Sequence, residues 1–173
     1  CLFLSACSMD EIPQASVDKE TVFSNEKGLE TYSYSFYNML PSVTDGYSQD
    51  AMCDYGAVTN YDDFIRAGAY SPEVSSGWSW TDLRNINYFI ENCTNDAVDE
   101  SIRNNYIGLA RFFRAYFYYE KVVRFGDVPW IDGELGSESE QLFAPRDSRE
   151  LVMQNMIKDI DYAIANLPEK VST

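Results

Sequence analysis

The chain has no histidine, and only 13 lysines and arginines stand against 28 aspartates and glutamates in 173 residues. Without histidine it lacks the commonest general base and the commonest transition-metal ligand. Neither a Ser-His-Asp triad nor a His-ligated zinc site can be built from it. The shortage of basic residues leaves a formal net charge of −15, a field that repels phosphate backbones and anionic headgroups and argues against nucleic acid as a partner. The same excess keeps a secreted protein soluble. Cysteine is scarce, with four residues, too few for a disulfide framework. What is abundant is apolar and aromatic: 45% hydrophobic and 15% aromatic, with 13 Tyr, 10 Phe and 3 Trp, far too apolar a mix for a disordered chain. A chain of this length buries roughly 70% of its unfolded surface and suffices for one ordinary domain.

The amino terminus reads as an address rather than as structure. Cys1-Leu2-Phe3-Leu4-Ser5-Ala6-Cys7 is a short apolar run that ends in small residues at a cysteine and turns polar at once. It is too short to span a bilayer and looks like the remnant of a secretory signal over residues 1–6. Leu4-Ser5-Ala6-Cys7 resembles the bacterial lipobox, and by that resemblance Cys7 receives the lipid and residues 7–21 form a tether. Acyl chains contribute about 0.8 kcal/mol per buried methylene, so a multiply acylated cysteine anchors stably without a transmembrane helix. Asp10 and Glu11 resemble the export signal of Bacteroidetes surface lipoproteins. Cys53 and Cys93 remain, either as a disulfide or as small buried thiols.

Helical periodicity then organises the chain. Ser24 to Leu40 is predicted as a helix, capped by Ser24 or Asn25 and stopped by Pro41. Pro41 to Ser79 is rich in Gly, Ser, Asp, Asn and Tyr without periodicity, a long irregular excursion of the kind that carries function. Helical spacing resumes at Trp80, Leu83, Ile86, Ile90 and Cys93. After a breaker at Asn95–Asp99 comes the strongest segment, Glu100 to Phe125. There Ile102, Tyr106, Leu109, Phe113, Phe117 and Val123 form a stripe that Phe112, Tyr116, Tyr118 and Tyr119 widen. Gly126 and Pro129 stop it. Asp132 to Ala144 is a polar loop. Asp147 with Glu150 resembles a capping box, opening a helix whose stripe is Met153, Met156, Ile157, Ile160, Ala163, Ile164 and Leu167, up to Pro168. The prediction is an all-α protein of antiparallel helix pairs in a tetratricopeptide-like scaffold with long irregular loops.

Gly108 to Trp130, GLARFFRAYFYYEKVVRFGDVPW, closely resembles the signature helix of the SusD/RagB family, of the form ARFLRAYxYFxLVxxFGDVPL. Trp130 stands where that family usually has an aliphatic residue. Arg84 to Asn92 and Ala144 to Ser148, continuing to Leu167-Pro168, resemble the helices on either side. The resemblance implies that residues 22–173 are the N-terminal helical part of a longer surface lipoprotein at the outer membrane. Such a protein binds oligosaccharides or similar nutrients without catalysis, needs no cofactor or metal, and lies as a lid over a SusC-like TonB-dependent transporter.

Sugars are recognised by aromatic faces against their C–H surfaces and by planar polar groups that pair with adjacent hydroxyls. The excursion and its exit supply both, and the candidate ligand residues are Trp78, Asp62, Arg66, Tyr61 and Asn60. Trp80 opens a helical stripe and is expected to be structural. Arg111 and Arg114, lying among aromatics, are expected to stack on rings and bond loop carbonyls rather than touch a solute. Two other functions remain open. One is a helical protein-interaction module. The other is a glycoside hydrolase, for which no carboxylate pair sits in a recognisable catalytic context.

Overall fold

A computed structural model describes residues 19–44, 59, 71, 77–136 and 138–169. Every regular element among them is helical: α1 (Lys19–Phe23), α2 (Glu26–Ser33), α3 (Thr81–Asn92), α4 (Glu100–Phe125) and α5 (Arg149–Asn166), with 3-10 segments at Tyr34–Met39 and Glu140–Phe143. A single antiparallel bridge joins Val128 to Asp147. Central helix α4 packs along α5 on one side and against α3 and α2 on the other, the helix-pair scaffold that the periodicity predicts. No helix among the described residues is long and apolar enough to cross a membrane.

The bounds of α4 follow the sequence reading, and its glycine stop signal acts at the carboxyl end. Gly126 adopts φ +72°, a conformation that costs a residue with a Cβ, and its N–H reaches the Val122 carbonyl at 3.0 Å. Phe113 and Phe117 are buried as expected, whereas Val123 at the end of the predicted stripe is 69% exposed.

The amino-terminal helix departs from its prediction at both ends. The structure already turns helical at Lys19, inside the stretch read as tether, because Phe23 is drawn under Tyr32, Tyr88 and Phe89 with ring centroids 5.6–6.0 Å away. Asn25 is the cap of α2, accepting from the Gly28 N–H at 2.8 Å. The regular α-helix ends at Ser33, whose hydroxyl bonds back to the Glu30 carbonyl at 2.7 Å, and the chain tightens into a 3-10 segment. That tightening buries Phe36 and sets Tyr37 edge-on to Phe113, centroids 5.0 Å apart.

The face that α5 buries matches the predicted one only in part. Val152, Asp159 and Ala163 are buried, while Ile157 is 56% and Ile164 73% exposed. Ala163 and the half-buried Met156 and Leu167 of the predicted stripe lie on the buried face, while its other residues turn away from it, one residue being about 100° of helix rotation. Asp147 is not its cap. The Ser148 hydroxyl accepts from the Leu151 N–H at 3.3 Å, while the Asp147 carboxylate turns back to accept from the Trp130 N–H at 2.8 Å.

Candidate functional site

The centre of the molecule is a polar network built from the face of α4 that carries Arg114 and Tyr118, one turn apart. Arg114, 5% exposed, makes a bidentate pair with Asp159 of α5, itself 2% exposed: Nε to Oδ2 at 2.6 Å and Nη2 to Oδ1 at 2.7 Å. Its Nη1 donates to Asn87 Oδ1 and to the Asp132 carbonyl, both at 3.1 Å. Asn87 in turn donates through Nδ2 to the carbonyls of Ile131 and Gly133, at 3.0 and 3.1 Å. The Tyr118 hydroxyl accepts from the Ile131 N–H at 2.7 Å and lies 3.2 and 3.3 Å from the carbonyls of Pro129 and Ile131. Burial raises its phenol well above the ordinary range, so it stays a neutral donor. These bonds pin residues 129–133, a stretch without regular structure, onto α3 and α4. Trp130 stacks on Tyr118 with centroids 4.3 Å apart, beneath the Arg114 guanidinium at 5.5 Å.

The pinned segment, the start of α3 and the 3-10 turn at Glu140–Phe143 enclose a cleft of about 850 Å³, a size suited to a small ligand. Trp78 and Trp80 stand at its wall, with Arg84, Ile131, Leu142 and Arg146 among the other described residues that line it. Trp78 is 42% exposed. Its ring meets Trp80 and Phe125 edge-on, centroids 5.1 and 4.8 Å away, and the Arg146 guanidinium lies 4.7 Å over it. Lys121 fixes the approach to this tryptophan. Its ammonium donates to the Gly77 carbonyl at 2.5 Å and lies over Phe117 at 4.7 Å, and burial pulls its pKa below the usual lysine value.

A family model described as "Starch-binding associating with outer membrane" matches residues 17–173, spanning α4 and the pinned segment. The chain belongs to the SusD-like family. It is 24% identical over 188 residues to a curated SusD-like protein of Bacteroides ovatus, covering 98% of this chain and 34% of that one. A crystal structure of a SusD-like protein from Bacteroides fragilis superposes with a TM-score of 0.70 at 23% identity, covering 91% of this chain and 32% of that one. The chain thus spans about a third of the length of the relatives it matches, and the likeness to the crystal structure establishes the common helical fold.

The signature of this SusD-like chain is a positioning device. Arg114 bonds a loop carbonyl as the sequence reading expects, and Tyr118, which that reading placed only in the aromatic stripe, does so too. The rings that receive the arginines, however, lie outside α4: Trp130 for Arg114, and Tyr162 for Arg111 at 4.1 Å. Trp130, the departure from the family pattern, supplies the plate between Tyr118 and Arg114. Trp80 packs on Phe117 and Tyr118, centroids 5.6 and 6.3 Å away, in the structural role expected of it. Of the predicted ligand residues, Trp78 lines the cleft, whereas Asn60, Tyr61, Asp62, Arg66 and the lipid-attachment candidate Cys7 lie outside the described residues. Cys93 is a buried free thiol, its pKa pushed up to about 11 by desolvation, and Cys53 also lies outside the described residues. Sequence reasoning missed Arg84 and Arg146 as cleft residues. Arg84 and Asn87, three apart and therefore on one face of α3, were a usable signal.

Proposed function

We propose that this chain is the saccharide-binding, helical part of a lipid-anchored protein at the outer face of the outer membrane, and that it passes its ligand to a SusC-like TonB-dependent transporter. The observation that carries the reading is Trp78. A partly exposed indole at the wall of a cleft is the surface on which the C–H face of a sugar stacks, and the exposed Arg84 and Arg146 line the same cleft. The family description, starch binding in association with the outer membrane, supports the ligand class and the location. No group of three or more metal-ligating side chains occurs among the described residues. The proposed anchor is the Cys7 lipid, with residues 7 to about 18 as tether ahead of α1.

The test is Trp78→Ala in the full-length protein. Affinity for the bound saccharide should fall by about 1 to 3 kcal/mol, the cost of losing a contact aromatic, while the melting temperature stays nearly constant. A large drop in melting temperature with unchanged affinity would make Trp78 a strut and remove the cleft from consideration. For the anchor, Cys7→Ser expressed with its complete signal should shift from the membrane to the soluble fraction and stop incorporating labelled palmitate. Continued labelling would refute it.

A further inference from the structure

Among the described residues, the charged side chains that line the cleft are cationic, on a strongly acidic protein. Against a net charge of −15, the described residues that line it include Arg84 and Arg146 and no carboxylate. Glu134, Glu138 and Glu140 alternate with lining residues along the sequence and stay out of the lining. Three other arginines are paired: Arg103 with Asp96 at 3.3 Å, and Arg111 and Arg114 with Asp159 at 3.8 and 2.6 Å. Arg84 and Arg146, both exposed, make no ion pair with a described carboxylate.

Their geometry leaves them ready for an anion. Arg146 holds its guanidinium carbon 4.7 Å from the centroid of the Trp78 ring and makes one long bond, Nη1 to the Asp127 carbonyl at 3.4 Å. A guanidinium stacked through its face keeps its in-plane N–H edge, and that edge matches a carboxylate or sulfate in bidentate fashion. The net negative charge of the protein opposes an anion's approach, so the preference rests on the short-range guanidinium contacts, which act within a Debye length.

We infer that the cleft takes an acidic oligosaccharide, whose carboxylate or sulfate ester meets Arg84 and Arg146 while a neighbouring ring lies on Trp78. This rests on the saccharide reading of the cleft and narrows it: the neutral glucan of the family description is not the preferred ligand here.

Matched pairs that differ only in charge test it by calorimetry on the full-length protein. The first pair is tetragalacturonate and its methyl ester, and the second is a κ-carrageenan tetrasaccharide and its desulfated form, with maltotetraose as the neutral glucan. At least one acidic member should bind roughly tenfold or more tightly than its neutral counterpart, the scale of a charge-assisted bidentate contact, and salt should shrink that preference. The pair that responds identifies carboxylate or sulfate as the recognised group. In the Arg84→Gln/Arg146→Gln double variant the acidic-to-neutral ratio should collapse toward unity with an unchanged melting temperature. Equal or tighter binding of maltotetraose or the neutral members would overturn the inference and leave the saccharide reading standing. An acidic preference that survives the double variant would also overturn it. Absence of binding to all five sugars would sink both.

Discussion

Asp159→Ala is the most informative single perturbation, because it removes one half of a pair whose other half stays buried. Asp159 accepts two bonds of 2.6 and 2.7 Å from Arg114, and both residues are almost fully enclosed. Breaking a buried ion pair from one side leaves an uncompensated charge and costs about 3 to 5 kcal/mol. At about 2 to 4 °C per kcal/mol for a protein of this size, the melting temperature should fall by roughly 6 to 20 °C. Removing both charges with Arg114→Met/Asp159→Leu should cost less than the single change, since no charge is then stranded. It should still not be neutral, because the Asp132 carbonyl and the Asn87 amide oxygen lose their donor. Urea unfolding followed by circular dichroism on the wild type, both single variants and the double variant closes the cycle. If Asp159→Ala costs less than about 1 kcal/mol, the pair is solvated and the network does not hold residues 129–133 in place.

Phe113→Ala and Phe117→Ala should each cost about 3 to 5 kcal/mol by chemical denaturation, since both rings are buried in the core; losses under 1 kcal/mol would mean that the buried face of α4 is misread. Gly28→Ala should destabilise by about 1 to 3 kcal/mol despite alanine's better helix propensity. Its Cβ would run into the Val22 carbonyl oxygen of α1, which has no room to yield, and an unchanged or raised melting temperature would contradict that close approach. The Cys93 thiol, raised from 9.0 to about 11 by burial, contributes stability that is complete below pH 9 and is lost as pH rises toward 11. Replacing it with valine should therefore flatten the stability profile over that window. A thiol reagent should leave Cys93 of the folded protein unmodified at pH 8, and rapid modification there would contradict its burial.

Sequence alone was enough for whatever depends on residues close along the chain. The 26-residue span of α4, its glycine stop, the all-helical class and the enclosure of Phe113 and Phe117 follow from local periodicity and turn chemistry, which act within a few residues. The family signature was legible for the same reason, as an unbroken run. Tertiary structure decided which face each helix turned inward and what its polar residues met there. The apolar stripe of α5 was visible and only partly placed, because Asp159 beside it is drawn inward by Arg114, 45 residues away in sequence, and an ion pair between distant elements leaves no mark on either element's periodicity. Asp147 was read as a local cap and instead holds Trp130, 17 residues back. The cleft is a tertiary object throughout. Trp78 and Arg84, Ile131, and Arg146 come from three separate stretches, and they converge because buried donors on α3 and α4 had to satisfy loop carbonyls 18 to 46 residues away from them in sequence.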